Sequence, residues 1–388
     1  MTTPVHDAIV VGAGPAGLYA ALCLVRDGLD VVVLEEHAEV GAPTHCTGLM
    51  SAESLELYKF PDEVVLNRPT VCRVASPRGS VAELRSGMEE IVVVDRGGFD
   101  RALAASATDA GATVVTGARV DRIDVQPRFV EVGATDGARR ARAVVLAAGV
   151  TYRFHRALGL GSPSSVVHTA QMEVGAQPAE ALEIHLGRAV APDGFVWLVP
   201  VKRGEQSALK AGVLLRGDAR AHLLRFLARE DVAARLTTMP HEPIRRLLPV
   251  APAGRSYGHR LVAVGDAAGL TKPVTGGGIF YSLLSAALAA ETLVEAFAAG
   301  EPDAGRLSRY ESRWRSRLAG EIRTGEWFRR LLTRLSDAEL DTFVRACASD
   351  DVQAVINQTA RFNWHRSLIL ALLRQRGIKS TLLRSLLR

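Results

Sequence analysis

The sequence predicts an α/β chain, α+β overall, on three observations. Near the N-terminus a buried apolar strand runs into a glycine-rich turn and a helix, DAIVVGAGPAGLYAALCLVRDG at residues 7–28. A second strand, glycine turn and long Ala/Leu helix follow at residues 259–293. Between them the pattern alternates with a period of two, as in a mostly antiparallel sheet. The expected organisation is a discontinuous, Rossmann-like nucleotide-binding domain (1–70, 95–160 and 250–300) with a sheet domain inserted (71–94 and 161–249). A C-terminal helical region, 301–388, completes it.

A chain of 388 residues, 48% apolar and 23% charged, has length enough for a sizeable core. The net charge of +5 is uneven: no acidic residue follows Asp351, and Arg361, Arg366, Arg374, Arg376, Lys379, Arg384 and Arg388 place +7 in the tail, leaving −2 before it. The body therefore carries no basic signature of a nucleic-acid groove. The four cysteines, Cys23, Cys46, Cys72 and Cys347, form no CxxC pair, so no metal or cysteine-ligated cluster is expected. Few cysteines in a long chain suit a reducing, cytoplasmic compartment. No secretory signal and no uninterrupted apolar run long enough to span a membrane is expected.

In the first motif Ile9, Val10 and Val11 form the strand, and Gly12, Gly14 and Gly17 make GxGxxG, with Pro15 and Ala16 opening the helix. Gly12 allows the tight turn, Gly14 the approach of a pyrophosphate, and Gly17 close packing of helix on strand. The helix N-terminus then turns unpaired N–H groups toward phosphate. The second strand, DVVVLEE, ends at Glu35, placed to bond a ribose hydroxyl; Glu36 competes for that role.

The far motif is HRLVAVGDAAGLTKPVTGGGIFYSLLSAALAAETL, residues 259–293. Asp266 directly after a strand suits a ribityl hydroxyl. Gly276, Gly277 and Gly278 at a helix start can bring N–H groups to the flavin N1–C2=O edge, where charge collects on reduction. Two such turns, widely separated in sequence, fit one long cofactor, FAD, better than two short ones.

These segments carry a resemblance. GAGPAG, DRGGFDRALAASATDAGATV (95–114), AVVLAAG (143–149, ending at Gly149) and GDAAGLTKPVTGGG (265–278, opening at Gly265) resemble the FAD-dependent oxidoreductases of p-hydroxybenzoate hydroxylase fold. Within them PTHCTG at 43–48 resembles the PxxCxG signature of the geranylgeranyl reductases. The resemblance runs from about residue 5 to about 300. It implies Arg96 or Arg101 near the cofactor, the Val120 backbone near adenine, and Asp266 on the ribityl-phosphate arm. It implies saturation of isolated C=C bonds of prenyl chains by hydride from reduced flavin, with a role for Cys46 at the proton-delivering side. An isolated alkene offers no oxygen to polarise, so hydride and proton need close geometry. His45 is a weaker relay candidate, and Gly48 fixes the loop. Cys23, Cys72 and Cys347 read as packing.

In the middle, SVVHTAQMEV (165–174), ALEIHLG (181–187), GFVWLVPV (194–201) and SALKAGVLL (207–215) read as strands, joined by TVCRVASP (70–77) and EEIVVVD (89–95). The segment Phe195 to Pro200, FVWLVP, resembles the family's YxWxFP substrate-cavity motif, with Phe195 for Tyr and Val199 for Phe. Phe195 and Trp197 share a face. Gly212 matches the first glycine of a downstream GxG, but Leu214 stands at the second. In the helical C-terminal region Ser336 and Asp337 are cap candidates. The last segment, 366–388, pairs apolar and basic residues; it is read either as an interfacial helix at the inner face of a membrane or as a helix packed on the body with a solvated basic face.

The expected function is an FAD-dependent reductase of prenyl C=C bonds, acting on a prenyl lipid or prenyl diphosphate. An external donor, NAD(P)H or ferredoxin, is needed, since no second GxGxxG is present. The alternatives are a flavin monooxygenase or halogenase, and a quinone-linked electron carrier or lipid-binding protein. FVWLVP also resembles the halogenase WxWxIP motif; halogenases use a lysine near the flavin, and Lys59 is the only lysine in the first third.

Overall fold

The computed structural model describes residues 5–85 and 90–386, with side chains as far as Leu382. The chain forms two compact units: Met1–Thr44, Arg96–Val166 and Pro249–Ile322 make one; His45–Asp95, Val167–Leu248 and Arg323–Arg388 make the other. The division cuts the long helix Ala304–Leu332, so the C-terminal helices are shared between the units.

The first unit is a sheet flanked by helices. Its strands run in the order Tyr257–Gly258, Leu261–Ala263, Gly137–Leu146, Val5–Val11, Val31–Leu34, Thr113–Val115. The four pairings among the last five of these are parallel. Parallel strands are covered on both faces, which explains why AIVV and VVVL are unbroken apolar runs rather than alternating ones. Ala8–Val11 and Val31–Leu34 are all buried. The strand Gly137–Leu146 is long because its first half also pairs antiparallel with Val130–Ala134, which pairs in turn with Val120–Val125. Helices Pro15–Arg26 and Ile279–Ala298 pack on each other. The second of these is, against expectation, long and apolar enough to cross a membrane, but most of it is buried in the protein. A core helix of a soluble body and a spanning helix look alike by composition, and burial explains this one without a bilayer.

The second unit holds a seven-stranded sheet ordered Ile244–Pro249, Val166–Gly175, Gln206–Leu215, Phe195–Arg203, Ala181–His185, Val71–Ala75, Val81–Leu84. The central pairings are antiparallel, and Ala181–His185 with Val71–Ala75 is parallel. The two faces differ. Val196, Leu198, Leu209, Ala211 and Val213 pack with Leu223, Phe226 and Leu227 of the helix Ala219–Leu227. Trp197, Val199 and Val201 pack on Val93 and Leu49. Ile91–Val94 is a strand, but it lies in a separate three-stranded sheet with Leu49–Ser51 and Val65–Asn67. Its expected place in the large sheet is thus wrong, because a run of IVVV buried on both sides fits any sheet by pattern alone; Glu89 lies outside the described residues.

The helix Asp337–Cys347 begins at Ser336, whose hydroxyl accepts from the Glu339 N–H while the Glu339 carboxylate takes the Ser336 N–H, a reciprocal cap. Asp337 instead accepts from the Arg188 N–H. In the tail, helices Arg366–Leu372 and Arg376–Leu386 bury Ile369, Leu372, Ile378 and Leu382. Arg366, Arg374, Arg376 and Lys379 are exposed. These four apolar side chains are packed inside the protein while Leu370 is exposed; Leu387 and Arg388, and the side chains after Leu382, fall outside the description.

Candidate active site

In the first unit the glycines are placed by contact. Gly12 has φ +104°, and a Cβ there would fall 2.5 Å from the Ala147 carbonyl oxygen. Gly17 is equally constrained: a Cβ would meet the Gly12 oxygen at 2.0 Å. Gly14, the N-cap of Pro15–Arg26, differs. A Cβ at 14 would meet nothing within 4 Å, so protein packing does not explain its glycine, whereas a ligand phosphate over the helix N-terminus does. Gly149, at φ +58°, also borders open space.

The Glu35 carboxylate reaches back to this turn. Its Oε2 accepts from the Ala13 N–H at 2.8 Å and its Oε1 from the His37 N–H at 3.0 Å. Glu36 is exposed and takes no part. The Ala118 N–H donates to the Glu35 carbonyl, which brings the segment leading into Val120 beside Glu35. The Val120 carbonyl accepts from Arg153. Arg96 forms a two-pronged pair with Asp100, at 2.8–3.1 Å, while Arg101 is exposed with its guanidinium beside Gly97.

The fold joins the two glycine motifs directly. A Cβ on Gly265 would fall 2.9 Å from Cβ of Ala16, across about 250 positions of chain. Gly278 faces the Asp266 carboxylate, whose Oδ1 lies 3.0 Å from the place of a Cβ on 278. Burial pushes the Asp266 carboxyl up to about 6, against the pull of the Arg96 cation. Tyr152 Oη donates to the Asp266 carbonyl at 2.9 Å and His155 Nε2 to the Ala267 carbonyl at 2.6 Å, so this segment braces the turn from behind. No sequence pattern announced that brace. Within the loop the Gly276 N–H is engaged by the Lys272 carbonyl at 2.8 Å, which removes it from the expected set of donors; Gly277 and Gly278 remain, at the start of Ile279–Ala298. An open cradle at Gly14, an acid at Glu35 and a glycine-capped helix fit a long dinucleotide cofactor.

Cys46 lies in the second unit, half-buried in a turn held from three sides. Gly48 has φ +82°, and a Cβ there would strike the Val94 carbonyl oxygen at 2.2 Å. The Gly48 N–H points to the Cys46 Sγ at 3.4 Å, and the Gly48 carbonyl accepts from Val94 N–H at 2.8 Å. Thr47 Oγ1 donates to Gln171 Oε1 at 3.3 Å, and the Thr47 carbonyl accepts from Lys210 Nζ at 3.0 Å. His45 and Pro43 are exposed.

Register then joins this turn to the aromatic motif. Gln171 pairs with Gly212, and Gly212 with Trp197. A Cβ on 212 would fall 2.1 Å from Cζ2 of Trp197, so the glycine exists to let the indole lie flat across its strand. Phe195 lies beside Trp197, ring centroids 5.9 Å apart, and pairs with Leu214, whose side chain fills the place a second glycine would have left open. Trp197 Nε1 is buried without a partner among the described residues. Pro200 is one position out of phase with these rings. It lines a separate cavity of about 330 Å³ with Asn67, Arg68, Thr70, Lys202 and Ser207. Sequence reasoning missed Gln171 and Lys210; a polar residue at a core-facing strand position was the one available signal.

Comparison with known proteins bears on the family and the fold. The family model described as lycopene cyclase protein matches residues 7–347. A digeranylgeranylglycerophospholipid reductase 2 of Methanothermobacter thermautotrophicus is 30% identical over 371 residues, covering 90% of this chain and 94% of that one. A geranylgeranyl bacteriochlorophyll reductase-like protein of Thermoplasma acidophilum shares the fold, with TM-score 0.85 at 22% identity over 99% of this chain and 100% of that one. The halogenase PltM, solved in complex with FAD, does so at TM-score 0.70 and 14% identity, over 96% and 87%. By the family match and the reductase relatives together, the chain belongs to the geranylgeranyl reductase family of FAD-dependent oxidoreductases.

Proposed function

We propose that the protein saturates isolated C=C bonds of a prenyl lipid, with Cys46 delivering the proton. The carrying observation is that Cys46 stands in a rigid turn joined through Thr47 and Gln171 to the level of the sheet that presents Trp197. FAD, when bound, supplies the hydride. Gly12, Gly14, Pro15, Ala16 and Gly17 hold its pyrophosphate, Glu35 its ribose and Asp266 its ribityl arm, with Gly277 and Gly278 offering N–H groups to the ring. Phe195 and Trp197 give the prenyl chain an apolar wall that excludes water, and the partnerless Trp197 N–H meets an acceptor or the π-face of a double bond. The names of the relatives favour a digeranylgeranyl glycerophospholipid.

Electrons come from an external donor, NAD(P)H or ferredoxin. The protein works in the cytoplasm. Its exposed tail cations meet anionic lipid electrostatically, while Ile369, Leu372, Ile378 and Leu382 are committed to the protein interior. The test is anaerobic: reduced enzyme is mixed with a digeranylgeranyl glycerophospholipid and the lipid is weighed. A gain of two hydrogens per bond is expected. An unchanged lipid, with hydroxylated or halogenated product only when oxygen is admitted, would sink the reading in favour of a monooxygenase or halogenase.

A further inference from the structure

Lys210 sits where the sheet pattern calls for an apolar residue. It is only 6% exposed, on the face of Gln206–Leu215 that also carries Gly212. Burying an ammonium costs several kcal/mol unless its N–H groups and charge are answered. Two N–H groups are: Nζ donates to the Thr47 carbonyl at 3.0 Å and to the Val94 carbonyl at 3.2 Å. These carbonyls belong to the Cys46–Gly48 turn and to the strand against which that turn is pressed.

The charge is answered less obviously. Glu173, opposite Lys210 in the sheet, gives both carboxylate oxygens to Arg203, at 2.6 and 3.1 Å, and Asp95 also leans on Arg203, at 3.5 Å. Burial lowers the tendency of Lys210 to hold its proton. A thiolate at Cys46 would favour the ammonium more than Glu173 or Asp95, which also favour it, while Arg203 opposes it.

We propose that Lys210 is the positioning residue of Cys46, pinning its turn through the Thr47 carbonyl and setting a positive charge against that turn. This rests on the reading of Cys46 as proton donor. In that step the S–H bond breaks and a C–H bond forms at one alkene carbon. The S–H electron pair stays on sulfur as thiolate while the other carbon receives the hydride. The ammonium stabilises that thiolate until solvent returns the proton.

The test reads the thiol itself, without turnover. Iodoacetamide is added to the intact holoprotein across pH 6–9 and modification of Cys46 is followed by peptide mass. Burial raises the other three thiols, Cys72 and Cys347 to about 12, so they stay silent. Lys210→Gln keeps a donor for the carbonyls and removes the charge. It should slow Cys46 alkylation about tenfold at neutral pH, the effect of one close charge. Lys210→Met should do the same, and Lys210→Arg should restore most of the rate. A wild-type profile in either neutral variant that keeps its circular dichroism and bound FAD would overturn the proposal. If neither neutral variant folds, an Arg variant alkylated no faster than an unfolded peptide thiol at pH 7 would overturn it too, and a rate above that peptide's would uphold it. Loss of the proton-donor reading shows differently, as full turnover in Cys46→Ala with the alkylation coupling intact.

Discussion

The turn at Gly12–Gly17 and the turn at Cys46–Gly48 both depend on glycines held against a carbonyl, yet they are built in opposite ways. The first takes its polar contacts from its own neighbourhood, strand, turn, helix and Glu35 from the next strand, while backbone from Ala147 and Gly265 closes against it. The second is held by groups far along the chain, Gln171 and Lys210, 124 and 163 positions from Thr47. A binding turn needs backbone N–H groups and room. The role proposed for Cys46 needs one side chain aimed within a few tenths of an ångström, and side chains packed around it supply that.

The largest break between the two should come from Cys46→Ala. Prenyl turnover is expected to fall about 10²–10⁴-fold with the FAD absorbance unchanged. If alkene reduction by the pre-reduced flavin runs at equal rates in variant and wild type, the thiol has no chemical part.

Acid should separate the two regions next. Burial pushes the Glu183 carboxyl up, but the hydrogen bonds from His185 and Arg235 outweigh it and hold it at about 2. A depressed acid stabilises the fold above its unfolded value of about 4.3 and loses that contribution as pH falls through about 2, on the order of 3 kcal/mol in all. Asp266 in the first unit has the opposite sign: raised to about 6, it favours the fold most below about 4 and loses this as pH rises through 6. Hydrogen exchange at pH 6 and pH 3 should show the Ala181–His185 strand loosening in acid while the Asp266 turn does not. Glu183→Gln should flatten the response of the strand; an unchanged response would place the acid sensitivity elsewhere.

Glu35→Ala tests the first turn alone. The Glu35 carboxylate bonds the Ala13 N–H, and in its proposed role it also accepts from a ribose hydroxyl, worth roughly 1.5–3 kcal/mol, so FAD affinity measured by fluorescence should drop about ten- to a hundredfold. Cys46 alkylation should stay as in wild type. Gly212→Ala is the smallest change and acts only in the second unit. Overpacking against the Trp197 ring should cost about 1–3 kcal/mol by urea unfolding and impair turnover, with FAD retained. A fully stable, fully active Gly212→Ala would show that the indole moves freely and is not the cavity wall.

By itself the sequence determined the α/β framework, because the apolar runs and glycine spacings of residues 7–28 and 259–293 are local statements about backbone conformation. It also singled out Cys46 and the pair Phe195 and Trp197, through motif resemblance rather than pattern. Only the tertiary structure decided that Ile91–Val94 pairs with Leu49–Ser51, that Pro200 points away from the aromatic pair, and that the Gly276 N–H is spent inside its own loop. The first turns on which strand lies beside which, the second on phase within one strand, and the third on how a loop closes on itself. A residue string carries the period of its side chains, whereas its neighbours across a sheet come from chain hundreds of residues away and are chosen by packing. Lys210 is the clearest case: SALKAGVLL shows a charge at a position where the alternation calls for an apolar residue, but only the assembled sheet shows its ammonium against the Thr47 carbonyl.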